Sequence, residues 1–255
     1  MSKSLLVINP NSSKSVTDNL ETIVSPIPGF TFEYFTGPPD APKEIDGSES
    51  AHQSTEACLP VLKEKYLNRF DGYLVCCYSD HPLIYELRKL VKVPVLGIFQ
   101  ATVLYSLGYC DINNKFAILT STNAWEKILD DSLKDFFYGT EKVGGESTTV
   151  TGSWYDYFYS FIFGSPERSL PLFALPTVAA NVNVLELQDP KKFEELKGKV
   201  QKLVDEGAKI ILLGCAGLSG LDKKFKHVFP GIKFVDSVAV GAELLAAYSR
   251  FDSEH

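Results

Sequence analysis

The sequence predicts an α/β protein of two pseudo-symmetric lobes, each a parallel sheet flanked by helices, with a cleft between them. Three observations carry this expectation. Short apolar runs alternate with helical patterns along the chain, the rhythm of βαβ units. The runs are continuously apolar rather than alternating, as strands buried on both faces require. The pattern also restarts in mid-chain. Each half holds an apolar run that closes on a cysteine, Cys77 or Cys215, and eighteen residues beyond each cysteine another run begins, at Val95 and at Lys233.

The elements follow in order. Residues 5–8 (Leu-Leu-Val-Ile) read as a first strand, ending in Asn9-Pro10-Asn11-Ser12-Ser13, a polar turn suited to cap a helix over 15–24. Residues 30–35 read as a second strand, followed by the loop Gly37-Pro38-Pro39-Asp40-Ala41-Pro42. Helical spacing covers 48–67, a third strand 73–77, and a helix 81–91 with Pro82 in its first turn. Pro94 introduces a fourth strand at Val95, with helical spacing over 101–107. Residues 115–119 then repeat the opening strand and end in Thr120-Ser121-Thr122-Asn123, ahead of a helix over 124–137. A strand over 177–187, a helix over 193–206, strands over 210–215 and 233–236 and a helix over 239–247 complete the second half.

From Asn9 to Cys77 is 68 residues, and from Thr120 to Cys215 it is 95. The excess fits an insertion at about 144–175, whose aromatic block at 154–163 suits a contact surface and a packed satellite core equally well. The expected division is a first lobe at 1–100, to which about 221–255 returns, and a second lobe at 101–220.

At 255 residues the chain is long enough to bury a core without staples. Its net charge of −7 argues against nucleic acid or an anionic membrane as main partner, since both reward clustered Lys and Arg. No apolar run approaches the roughly 20 residues of a membrane span. The opening residues read as a buried strand rather than a leader, which points to a cytoplasmic protein. Five cysteines without zinc-like pairing read as free thiols, and four scattered histidines argue against a metal site. No cofactor is expected.

Ligands of open parallel sheets sit beyond the carboxyl ends of the strands. In a duplicated fold this puts Cys77 and Cys215 on either side of one cleft. A thiolate removing a proton from one face of a carbon, with a thiol supplying one to the other face, is acid–base catalysis by cysteine in both roles. Asn9, Ser79, Thr120 and Ser121 offer hydroxyls and amides to a small-molecule substrate. Backbone N–H groups near 79–83 and 216–219 could stabilise a thiolate or enolate. Asp80 suits a cap on the helix starting at Pro82, and His81 a surface or cap role. Gly37-Pro38 is either a rigid turn or a loop that closes the cleft. Cys58, Cys76 and Cys110 read as structural.

Three motifs together, Ile8-Asn9-Pro10-Asn11-Ser12, Cys77-Tyr78-Ser79-Asp80 and Leu213-Gly214-Cys215-Ala216-Gly217, resemble the hydantoin and allantoin racemase branch of the aspartate/glutamate racemase superfamily. The resemblance runs from residue 5 to about 248. It implies a cofactor-independent racemase whose catalytic cysteines align with Cys77 and Cys215. It also implies a ureide or hydantoin ring held around Asn9, Ser79, Asp80, Thr120, Ser121, Ala216 and Gly217, with Gly37 and Pro38 in a substrate-contacting loop, and a homo-oligomer. His81-Pro82 stands where many relatives have Pro-Gly. Ala216-Gly217 after the second cysteine departs from the amino-acid racemases, which disfavours free aspartate or glutamate. The alternatives within this reading are another two-cysteine reaction on the same scaffold, cis–trans isomerisation of a small diacid or racemisation of an amino acid, or a ureide-binding protein without catalysis.

Overall fold

The structure, a computed structural model, describes residues 2–139, 141–143, 146–148, 169–181, 190–215, 218 and 221–254. Strands β1 (Lys3–Asn9), β2 (Phe30–Thr36), β3 (Gly72–Val75) and β4 (Val95–Gly97) alternate with helices α1 (Lys14–Ile23), α2 (Ser48–Lys65) and α3 (Pro82–Arg88). Helix α4 (Ile98–Leu107) leads to β5 (Lys115–Thr120) and α5 (Ala124–Tyr138). After a short antiparallel hairpin, β6 (Glu141–Val143) and β7 (Glu146–Thr148), come β8 (Val178–Ala179), α6 (Pro190–Asp205) and β9 (Ala208–Gly214). Helix α7 (Leu221–Val228), β10 (Lys233–Asp236) and α8 (Ser237–Glu254) close the described chain.

The duplication read from the sequence is explicit in the strand order. One parallel sheet runs β2-β1-β3-β4 and the other β8-β5-β9-β10. In each, the first strand of the half pairs with the second and third, and the fourth lies outside the third. The strands that lead to the two cysteines, β3 and β9, are therefore equivalent. Both are interior strands, which explains their uninterrupted apolar sequence.

Side-chain alternation then builds one core out of two sheets. Leu5, Val7, Leu74 and Leu96 of the first sheet share a cluster with Phe116, Ile118, Ile210, Leu212 and Val235 of the second. Ile98, Phe99, Ala101 and Val103 of α4 and Val238, Ala242, Leu245 and Ala246 of α8 belong to the same cluster. The opposite faces bury separate cores: Leu6, Ile8, Tyr73 and Val75 under α2 and α3, and Ala117, Leu119, Ile211 and Leu213 under α6 and α7.

The return of the chain to the first sheet begins later than expected. Residues 221–236 stay with the second sheet because β10 hydrogen-bonds to β9, with Lys233–Asp236 in register with Ile210–Leu213. Only α8 crosses back: Ser249 donates its hydroxyl to the Asp71 carbonyl at 2.8 Å, and Lys3 Nζ donates to the Ser249 carbonyl at 2.7 Å. The strand expected over 177–187 is described only at Val178–Ala179, and the aromatic block at 154–163 lies outside the described residues. No described helix is long and apolar enough to cross a membrane.

Candidate active site

The ends of β1 and β2 are tightly built together. The Asn9 side chain is fully buried and turned inward: Nδ2 donates to the Ser13 carbonyl and to Thr17 Oγ1, both at 3.0 Å, while Oδ1 accepts from the Asn11 N–H at 3.2 Å. With both amide hydrogens engaged, Asn9 shapes the turn, leaving backbone and neighbours to face a ligand. Gly37 is threaded into this turn, its N–H within 2.9 Å of the Asn9 carbonyl and 3.0 Å of that of Asn11. A Cβ on Gly37 would lie 2.8 Å from the Pro10 and Asn11 carbonyl oxygens, so only glycine allows this approach. Ser12 and Ser13 donate hydroxyls to the Ala41 and Lys43 carbonyls, tying the Gly37-Pro38 loop to the first turn. Cys58 Sγ lies 3.3 Å from the Pro10 carbonyl, fully buried beneath the same turn.

At the end of β3 the strand stops at Val75, and the next residues turn away with alternate sides inward. Cys76 and Tyr78 point into the shared core, whereas Cys77 is half-buried. Burial holds the Cys76 thiol far above its ordinary pKa, a structural thiol. Cys77 is pushed up to about 11, first by burial and then by the neighbouring Cys215; the Ser79 hydroxyl, 3.4 Å from Sγ, works the other way. That Cys215 acts on Cys77 at all brings the two thiols into one electrostatic neighbourhood.

Of the two residues that follow, His81 takes the cap role expected of it, whereas Asp80 does not. The cap of α3 is His81, not Asp80: the His81 ring Nδ1 accepts from the Leu83 N–H at 3.3 Å, with Pro82 at the helix start. His81 is buried rather than at the surface. Its Nε2 has no hydrogen-bond partner among the described residues, and burial, with a smaller contribution from His52, pushes its pKa down to about 3. Asp80 Oδ1 accepts from the Tyr85 hydroxyl at 2.6 Å and from Gln100 Nε2 at 2.8 Å, which clamps the loop to α3 and α4.

In the second sheet Thr120 is buried, its hydroxyl 3.4 Å from the Gly214 carbonyl, so the ends of β5 and β9 are joined. Ser121 is half-buried and its carbonyl accepts from the Asn181 N–H at 2.8 Å. Cys215 follows β9 directly and is half-buried. Ala216 and Gly217 lie outside the described residues. Among the described residues no His, Cys, Asp or Glu cluster is gathered to hold a metal ion.

The two sets of strand ends touch. A Cβ on Gly214 would stand 3.0 Å from Cε1 of Tyr78, so the residue after Cys77 rests on the residue before Cys215. Sequence reasoning quoted both residues without giving either a role. The pairing joins positions more than 130 residues apart, and neither has a local signature beyond its neighbouring cysteine. What the strand ends gather is a pair of half-buried thiols with hydroxyls beside them and, among the described residues of the strand ends, no Lys or Arg: Lys14, just beyond the first turn, is exposed and pairs with Asp18. Such a set can exchange protons with a small neutral molecule.

The model of the family described as Asp/Glu/Hydantoin racemase matches residues 5–153 and 170–245. The chain is 32% identical to Protein DCG1 of Saccharomyces cerevisiae, with 98% of each covered, and 26% identical to a hydantoin racemase of Rhizobium meliloti, covering 94% of this chain and 86% of that protein. Among solved structures it is similar in fold to allantoin racemase from Klebsiella pneumoniae (TM-score 0.73, 16% identity, 98% of this chain and 89% of that chain). It is likewise similar to allantoin racemase from Pseudomonas fluorescens (TM-score 0.71, 20% identity, 98% and 92%).

Proposed function

This chain belongs to the Asp/Glu/Hydantoin racemase family and is a racemase, an isomerase by class; from that premise we propose that it inverts the acidic carbon of a cyclic ureide, a 5-substituted hydantoin or allantoin, with Cys77 and Cys215 as paired acid and base. The observation that carries this reading is the pair of half-buried thiols beyond equivalent strands, each next to one member of the Tyr78–Gly214 contact.

The ring hydrogen removed lies beside a carbonyl, so the resulting anion spreads onto oxygen, where N–H donors lower its energy by an amount worth about 10²–10³ in rate. Cys77, held protonated at neutral pH, supplies the proton to one face; Cys215 takes one from the other. The roles exchange for the opposite enantiomer. Ser79, 3.4 Å from the Cys77 sulfur, steadies that group as it loses its proton. A neutral ring is favoured over a free amino acid or diacid because the described strand ends offer hydroxyls without an ammonium or guanidinium to meet a carboxylate.

The test is racemisation of enantiopure hydantoins and allantoin in D₂O, followed by polarimetry and NMR. Deuterium should enter the ring carbon as optical activity decays. Loss of rotation with the original hydrogen retained would defeat the proposal.

A further inference from the structure

We infer that Tyr78 is a positioning residue that sets the separation of the two thiols by bracing against Gly214; this rests on the two-cysteine reading above. Tyr78 follows Cys77, and Gly214 precedes Cys215. The space where Gly214 would carry a side chain is already filled: its Cβ would meet Ile118 Cγ2 at 2.7 Å, Tyr78 Cε1 at 3.0 Å and the Leu119 carbonyl at 3.2 Å. Strand β9 is thus paired with β5 along one edge and meets the tyrosine ring at Gly214.

The ring itself is anchored in the first half. Tyr78 is 6% exposed, and its hydroxyl lies 2.9 Å from Thr102 Oγ1 in α4. Thr102 donates its single hydroxyl hydrogen to the Phe99 carbonyl at 2.9 Å, so the phenol is the donor and threonine the acceptor. Phe99 adds an edge-to-face contact, ring centroids 5.7 Å apart at 87°. Both ends of the brace are therefore fixed, one by a directed hydrogen bond and one by close packing. Because a single peptide link separates either thiol from the brace, a shift at the contact passes to both sulfurs. Proton transfer tolerates little of this, since a misplacement of about 1 Å costs on the order of 10²-fold in rate.

The experiment compares Tyr78→Phe, which keeps the ring and loses the anchor, Tyr78→Leu, which removes the brace, and Gly214→Ala, which wedges it. Cys77→Ala serves as the reference. With an enantiopure 5-substituted hydantoin, Tyr78→Leu and Gly214→Ala should lower kcat by about 10- to 100-fold with KM little changed, and Tyr78→Phe by a smaller factor. Dibromobimane, a bifunctional thiol reagent, gives a readout separate from turnover: peptide mapping should find Cys77 bridged to Cys215 in the parent protein, and bridging should slow in Tyr78→Leu. If Cys77→Ala leaves racemisation intact, the two-cysteine reading fails. If Cys77→Ala abolishes it while Tyr78→Leu and Tyr78→Phe match the parent in kcat and bridging, the positioning inference alone is overturned. A lowered thermal midpoint with unchanged kcat per folded molecule overturns it as well, and the two tyrosine variants decide the matter should Gly214→Ala not fold.

Discussion

The two halves of this molecule repeat one strand order but diverge where chemistry is proposed. In the first half the loop after the thiol is built outward in layers: Ser79 against the sulfur, Asp80 clamped by Tyr85 and Gln100, and His81 buried as the cap of α3. In the second half the strand reaches the thiol through Gly214, a residue without a side chain, and leans on the first half's tyrosine. The sheets differ likewise. β1 and β2 pair over seven residues, whereas β5 and β8 pair over two. A symmetric topology thus holds an asymmetric site, in which one half supplies a stiff wall and the other fits against it.

The comparison breaks most visibly at the thiols. If the halves contribute equally to inversion, Cys77→Ala and Cys215→Ala should each reduce racemisation by about 10³-fold or more, measured by polarimetry, since each removes a positioned proton-transfer group. A variant that retains activity within tenfold would assign the work to one half. The shared core makes the next prediction. Leu212→Ala, buried between the sheets, should destabilise the protein by about 2–5 kcal/mol. Hydrogen exchange should show both sheets losing protection together; loss confined to the second sheet would make the halves independent.

His81 sharpens the contrast at low pH. Its folded pKa, about 3, lies below the ordinary value of 6.5, so the unfolded chain binds the extra proton first. The contribution of neutral His81 is fully present above about pH 6.5 and is lost as pH falls towards 3. His81→Asn, which keeps a capping oxygen, should flatten the fall in urea midpoint between pH 7 and pH 4.5. An unchanged acid slope would put the sensitive group elsewhere. The smallest effect concerns Ser79. Its hydroxyl lowers the Cys77 pKa, so Ser79→Ala should raise that pKa further. The descending alkaline limb of the rate profile should move to higher pH, and movement to lower pH would reverse the assigned sense.

Much of this was legible in the chain. Continuous apolar runs and their repetition give the two sheets, because buried interior strands leave little compositional choice. The thiols are legible because strand ends are where parallel sheets bind ligands. What the sequence hides is contact between distant residues. Of the two cap candidates at α3, His81 takes the role because its ring nitrogen reaches the Leu83 N–H, while Asp80 turns to Tyr85 and Gln100 through hydrogen bonds that follow no spacing rule. β10 stays with the second sheet because backbone pairing decides it. The inward turn of Asn9, an amide that looks available in the sequence, depends on Thr17 one helical segment away.

The crossing of α8 back to the first sheet carries a consequence for biosynthesis. β1 to β4 have all been synthesised once residue 97 is made, and α1 and α4 cover part of the inner face of that sheet, but the part that α8 covers waits for residues 237–254. Leu74, which packs beside Gly241 of α8, waits for that part of its cover while the whole second sheet is synthesised. A gene cut between the repeats would yield two fragments, neither able to finish its own interior.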